Sequence, residues 1–297
     1  MLIKFWGTRG SIPTPGRLTE KYGGNTSCVE VRVADKILIF DCGTGLRELG
    51  LQFLKEFGGT GIEAHLFLSH THWDHIQGFP FFMPAFRRGN TFYLYGAAAR
   101  RESINQLLSG QMQPEYFPAR LDDMEASFHY RAFRDVVDLG GGLKVEIAEL
   151  YHPGTSYGFA LTYQGFKIVY ATDNELNAGL KLMRERDFSS GWLDPAFTLR
   201  PHLLPFFQGA DLMIADCQYT DDEYYTKVGW GHASTSAVAE VACRADVKRL
   251  ALFHHEPMHG DRVVDVMVGE VKRYIQHRER PIEVIGAREG MVLKIGP

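Results

Sequence analysis

Ser69-His70-Thr71-His72-Trp73-Asp74-His75 sets three imidazoles and a carboxylate within six residues, in the pattern H-x-H-x-D-H. These donors follow the short apolar run His65 to Leu68, which reads as a strand ending at Ser69. Alternate residues at a strand's end share a face, so His70 and His72 reach one metal ion, and Asp74 and His75 then turn toward a second. Neutral imidazole and carboxylate suit zinc first, with manganese or iron open, because no cysteine in the motif fixes the metal. A solvated polar loop is the competing reading, and the density of ligands argues against it.

Outward from that motif, the pattern alternates strands and helices. Leu2 to Trp6 alternates as a strand, and a Gly/Pro/Thr-rich loop runs from Gly7 to Gly24. Cys28 to Val33 and Ile37 to Phe40 form a hairpin around Ala34-Asp35-Lys36, and Leu46 to Phe57 is a helix stopped by Gly58-Gly59. Thr91 to Tyr95 reads as a strand and Arg101 to Leu108 as a helix, followed by an irregular aromatic stretch from Gly110 to Tyr130. Val145 to Leu150, Gly158 to Tyr163 and Lys167 to Tyr170 are strands, with Gln164-Gly165 as a tight turn. A mixed segment from Glu175 to Gln208 precedes the strand Leu212 to Ala215, the helix Ser234 to Arg244, the strand Arg249 to Phe253, the helix Val263 to His277 and a closing strand pair. The order implies sheet and helix layers in both halves of one domain, 1–297, with the stretch 107–130 as an inserted lid.

Three further donors sit at strand ends. His152 follows Val145 to Leu150 ahead of a Pro-Gly turn, Asp173 follows Ile168-Val169-Tyr170, and His254 follows Leu250 to Phe253. Asp173 also reads as a helix N-cap, each histidine as a hydrogen-bonded structural residue, and His255 rivals His254. Asp41, in a Gly-rich turn, reads as a carboxylate bonding nearby backbone amides. His65, His129, His202, His259 and His277 belong to no motif and read as structural or surface residues. Trp73 and the run Phe79 to Phe86 read mainly as core, with a substrate-pocket floor as the rival reading.

With these motifs in hand, the chain resembles the metallo-β-lactamase superfamily, in the phosphodiesterase branch that includes RNase Z and bacterial cyclic-phosphate phosphodiesterases. The resemblance rests on H-x-H-x-D-H, then Gly24-Asn25-Thr26-Ser27-Cys28, Phe40-Asp41-Cys42-Gly43-Thr44-Gly45, His152 ahead of Ser156-Tyr157-Gly158-Phe159, and Tyr170-Ala171-Thr172-Asp173. It continues through Ile214-Ala215-Asp216, Gly231-His232 and Leu252-Phe253-His254-His255-Glu256-Pro257. It implies an α/β fold, the four-layer αββα sandwich. It also implies that His70, His72 and His152 hold one metal, that Asp74, His75 and His254 hold the other, and that Asp173 bridges both. His232, ahead of a helix capped by Ser234 or Thr235, resembles the branch's proton donor to the leaving oxygen, with Asp216 to orient it. Ala233 departs from the RNase Z pattern, in which Ser-Thr follows that histidine directly.

Two cations a few ångströms apart would acidify a bridging water toward neutrality and stabilise in-line displacement at phosphorus, with Asp74 taking the water's proton and His232 supplying one to the leaving alkoxide. The expected substrate is a small or cyclic phosphodiester, a cyclic nucleotide or ribose cyclic phosphate. The formal charge of −4 offers no global attraction for long nucleic acid, and Arg87-Arg88, Arg100-Arg101 and Arg278 to Arg280 are short solvated runs. That weakens the RNase Z-like alternative of tRNA endonuclease. Thioester or lactam hydrolysis leaves His232 without a task, and relatives that reduce oxygen at a di-iron site place a carboxylate where His72 stands. A composition of 45% hydrophobic residues supports a sizeable core and excludes disorder. Four scattered cysteines exclude a disulfide scaffold, and with no basic, apolar leader and no membrane-length apolar run the expected location is the cytoplasm, without membrane contact. A homodimer is implied only by the branch resembled.

Overall fold

The computed structural model describes residues 1–97, 104–176 and 202–296. The chain divides into two compact units, Met1–Arg134 with Arg288–Pro297, and Asp135–Ala287.

The first unit begins with β1 (Leu2–Gly7), β2 (Cys28–Val33), β3 (Lys36–Phe40) and α1 (Gly45–Phe57). It continues through β4 (Glu63–Phe67), α2 (Trp73–Ile76), β5 (Thr91–Gly96), α3 (Ile104–Gln111) and β6 (Ser127–Ala132). The strands from β3 to β6 run parallel, with Phe40 opposite Phe67 and Phe67 opposite Tyr95. Leu46, Leu49 and Phe53 recur at helical spacing and are the buried stripe of α1. Each contributes about 1.5–3 kcal/mol by leaving water. The helix stops where Gly58 takes φ 66, a left-handed conformation that glycine adopts without steric cost.

The second unit opens with a meander of β7 (Val136–Gly140), β8 (Leu143–Glu149), β9 (Tyr157–Tyr163) and β10 (Phe166–Ala171), all antiparallel. Gln164 and Gly165 join β9 to β10, both at positive φ as a two-residue hairpin turn requires. There follow α4 (Leu203–Phe207), β11 (Leu212–Asp216), α5 (Asp221–Tyr224), α6 (Thr235–Arg244), β12 (Arg249–Phe253), α7 (Asp261–His277) and β13 (Glu283–Gly286). From β10 to β13 the strands are parallel, and β11 is buried along its whole length, as a continuous apolar run in a parallel sheet should be. The chain then returns to the first unit as β14 (Val292–Lys294), antiparallel to β1. Among the described residues each unit has one seven-stranded mixed sheet, ordered β14-β1-β2-β3-β4-β5-β6 and β13-β12-β11-β10-β9-β8-β7.

The structure departs from the sequence reading in three places. Four residues of the stretch read as irregular, 127–130, belong to β6, whose Phe128 and Tyr130 are half-buried while their neighbours are exposed. The edge strand β7 was not expected; its alternation is carried by only Val137 and Leu139. The closing strands do not pair with each other, because β13 joins β12 and β14 joins β1. The expected helix from Arg101 is seen from Ile104, its first residues and Arg100-Arg101 lying outside the described residues, as does 177–201 of the mixed segment. Among the described residues no helix is long and apolar enough to cross a membrane.

Candidate metal centre

In the second unit the strand register brings the donors together. Ala171 lies opposite Ala215 and Asp216 opposite Phe253, so β10, β11 and β12 end side by side. Asp173, Asp216 and His254 therefore emerge from the carboxyl edge of three adjacent parallel strands, where open α/β sheets place their ligands. Asp173 and His254 both take left-handed backbone angles, φ 54 and 59. Asp173, Asp216, His232 and His254 are all buried, and each offers a donor atom within 4.8 Å of the other three.

Their bonds differentiate them. Asp216 Oδ2 lies 2.7 Å from His232 Nδ1 and accepts from the Asp173 N–H at 3.1 Å, while its Oδ1 accepts from the Ala233 N–H at 3.1 Å. Three residues of two separate loops are thereby fixed by one carboxylate. His254 Nε2 is 3.3 Å from Asp173 Oδ2, and His152 Nε2 is 3.8 Å from Asp173 Oδ1. His152 Nδ1 sits 3.1 Å from the Gly231 carbonyl, a bond that leaves Nε2 as the nitrogen that could ligate a metal. His255, the rival of His254, instead turns its Nε2 to the Ala287 carbonyl at 2.8 Å.

In the first unit the H-x-H-x-D-H run occupies the loop after β4 and the first turn of α2. The strand stops at Phe67, so strand alternation does not bring His70 and His72 together. His72 is the extended N-cap of α2, at φ −63 and ψ 152, and this places its ring 4.5 Å from that of His70. His70 and His75 are 4.2 Å apart, ring to ring. Asp74 Oδ2 lies 3.1 Å from His75 Nε2 and accepts from the Ser11 N–H at 2.7 Å.

Asp41 does more than the sequence suggested. Its Oδ1 accepts from the Ser69 N–H at 2.7 Å, the backbone bond expected, but its Oδ2 takes the Ser69 hydroxyl at 2.8 Å and His75 Nδ1 at 2.8 Å. It orients His75, leaving Nε2 as the nitrogen that could ligate a metal. The signal was present, since Asp41 follows the apolar strand β3 as Asp173 follows β10. Glu175, which binds the backbone ahead of His232, was also missed.

The donor set suits a divalent cation. Asp173 and Asp216 place two buried carboxylates in one cluster with two imidazoles, and a divalent ion offsets the repulsion between them. Thiolates take no part: Cys42 and Cys217 are buried, and desolvation pushes their thiols well above the ordinary value. The other described histidines serve elsewhere. His65 stacks on Tyr93 and burial lowers its pKa to about 4, His259 pairs with Glu223 at 2.7 Å, and His202 bonds the Glu149 carbonyl at 2.9 Å. Phe79 and Phe82 are core, whereas Trp73 is 78% exposed and Phe81 52% exposed.

Comparison with known proteins agrees with this geometry. The family model described as beta-lactamase superfamily domain matches residues 36–255. A ribonuclease Z of Haloarcula marismortui is 25% identical over 327 residues, covering 97% of this chain and 99% of the relative. Two crystal structures share the fold across 98% or more of both chains: the metallo-beta-lactamase fold protein YhfI from Bacillus subtilis, at TM-score 0.66 and 19% identity and covering 99% of each, and a diphosphatase from the PhnP family, at 0.65 and 15%, covering 99% of this chain and 98% of the other. With three-quarters of its length inside the family model and both sheets and donor clusters in place, the chain belongs to the β-lactamase superfamily, in the metallo-β-lactamase phosphodiesterase branch of metal-dependent hydrolases.

Proposed function

We propose that the enzyme is a two-metal hydrolase, with zinc the first candidate, and that it hydrolyses small or cyclic phosphodiesters. In this reading His70, His72 and His152 would hold one ion, Asp74, His75 and His254 the other, and Asp173 would serve both. Ions held there would supply an acidified water and charge neutralisation at phosphorus. Asp74, held by the Ser11 N–H, accepts the water's proton. His232 gives a proton to the departing alkoxide.

The observation that carries the reading is the His232–Asp216 pair, 2.7 Å apart and buried beside Asp173. Asp216 binds Nδ1, which leaves Nε2 for proton transfer, the arrangement of an oriented general acid. Such a group matters for a poor leaving group, and an ester of ribose or another alcohol has one. The four free, buried cysteines support residence in a reducing compartment, here taken as the cytoplasm.

A second reading, tRNA processing, draws on the ribonuclease Z relative, which spans nearly the whole chain. The net charge of −4 disfavours it, because binding long RNA depends on releasing counterions to a basic surface. The deciding measurement compares cyclic nucleotides, ribose 2′,3′-cyclic phosphates and precursor tRNA with the zinc-loaded enzyme at low and moderate salt. Turnover of the small diesters, weakly dependent on salt, is expected. Efficient tRNA cleavage that collapses as salt rises would replace this reading with the second.

A further inference from the structure

We propose that Glu175 is a positioning residue for the proton donor, its carboxylate clamping the backbone from Gly229 to Gly231 so that His232 stays seated on Asp216. Glu175 is 2% exposed. Its Oε1 accepts from the Gly229 N–H at 2.7 Å and from the Tyr224 hydroxyl, and its Oε2 accepts from the Gly231 N–H at 3.1 Å. Three donors converge on one side chain, and two of them are backbone groups within three residues of His232.

The clamp also ties that loop to the donor strands. Glu175 lies two residues after Asp173, and its own N–H donates to the Tyr151 carbonyl at 2.7 Å, next to His152. Asn174 Oδ1 accepts the Tyr151 N–H at 3.1 Å. The segment Asp173–Glu175 therefore laces together the loops bearing His152 and His232. Burial, and then the carboxylate itself, push the Tyr224 hydroxyl well above its ordinary value, so it remains a donor.

A carboxylate is needed here because every group facing it in these bonds is a donor. An amide in its place would turn an NH2 toward at least one of them, and a buried donor left without an acceptor is costly. The loop would then shift rather than the sheet. His232 would lose its alignment on the leaving oxygen, and a misplacement of about 1 Å in a catalytic group costs roughly a hundredfold in rate.

The inference rests on the proposed role of His232, and the experiment separates the two. Glu175→Gln, Tyr224→Phe and His232→Ala are compared with the parent enzyme, all loaded with zinc and checked for metal content and thermal unfolding. Substrates are an alkyl or ribose phosphodiester and a nitrophenyl phosphodiester, whose leaving group hardly needs a proton. Glu175→Gln is expected to lower kcat on the alkyl ester about 10- to 100-fold while changing the nitrophenyl ester less than about threefold. Tyr224→Phe, with both backbone donors intact, should show the same selectivity at a few-fold. In the metal-free protein, amide exchange at Gly229 and Gly231 should accelerate in Glu175→Gln. Combined with His232→Ala, Glu175→Gln should add less than about a twofold further loss, as groups acting through one another are not additive. Selective loss in His232→Ala with equal loss on both esters in Glu175→Gln and Tyr224→Phe would overturn the inference alone. No selectivity in His232→Ala would instead overturn the proton-donor reading itself, and the inference with it. Should Glu175→Gln not fold, Tyr224→Phe carries the decision.

Discussion

Replacing Gly231 by alanine tests how tightly the second cluster is built. Gly231 sits at φ +92, and a Cβ there would lie 2.1 Å from His152 Nδ1 and 2.5 Å from Pro153 Cδ. Real Cβ atoms do not approach so closely, so the imidazole or the loop must move. The left-handed backbone costs a non-glycine residue roughly 1–2 kcal/mol, and losing the 3.1 Å bond from His152 to the Gly231 carbonyl costs about 1 kcal/mol more. A destabilisation of about 2–3 kcal/mol follows, lowering Tm by roughly 3–5 °C for a chain of this size. A freed His152 should also weaken zinc binding about 10- to 100-fold, the usual effect of losing a partner that orients a ligand. Gly154→Ala is the control, since Gly154 has φ +88 but open space around the added carbon. It shares the backbone penalty and lacks the clash. Titrating both metal-stripped variants with zinc, alongside thermal melts, isolates the steric part. Equal zinc affinity in the two would refute the argument that Gly231 is bare to seat His152.

Other perturbations reach the remaining donors. Asp173→Ala should lower the bound zinc from two ions per chain toward none, as read by elemental analysis after repletion; loss of one ion with turnover retained would disprove bridging. Asp41→Asn should weaken zinc binding about 10- to 100-fold with little change in secondary structure by circular dichroism, because it removes the carboxylate that holds His75 Nδ1 at 2.8 Å. Unchanged affinity would return Asp41 to a purely structural role. His65 has a folded pKa lowered to about 4, chiefly by burial, from an ordinary value of 6.5. The unfolded chain binds the extra proton first, so this contribution is complete above about pH 6.5 and falls away as pH drops toward 4. His65→Phe should flatten the fall of Tm across that window, and identical pH profiles would count against it.

Most of the clustered donors were legible in the sequence because metal binding needs particular side chains at short spacing, and composition rarely supplies them by accident. The strand-end positions of Asp173 and His254 were equally legible, since each follows a run of apolar residues, Ile168-Val169-Tyr170-Ala171 or Leu250-Ala251-Leu252-Phe253. What the pattern could not convey was geometry fixed by tertiary pairing. The proximity of His70 to His72 comes from the extended cap of α2 rather than from strand alternation. Asp41 was read as turn chemistry and Glu175 drew no reading, because their partners, His75 and the Gly229–Gly231 backbone, are 34 or more residues away in the chain. The same cause hid β6 and β7, whose short alternations become strands only when β5 and β8 lie beside them.

The backbone shows what the site costs. Asp41, Asp173 and His254 take φ of 60, 54 and 59, each within two residues of the end of β3, β10 or β12. A non-glycine residue there gives up about 1–2 kcal/mol, so the three together forgo roughly 3–6 kcal/mol, a large share of the 5–15 kcal/mol that separates folded from unfolded proteins. Glycine would relieve every one of those turns. It would also remove the carboxylates and the imidazole that the turns exist to present. The sharp reversal at each strand end is what lets a side chain come off a parallel sheet and face its neighbours at the carboxyl edge, so strain and ligand placement are two aspects of one backbone choice. A cation bound by the folded chain and not by the unfolded one offsets the strain in proportion to its occupancy. Stability and metal content should therefore rise together in this protein, through Asp173 and His254 directly and through Asp41 by way of His75.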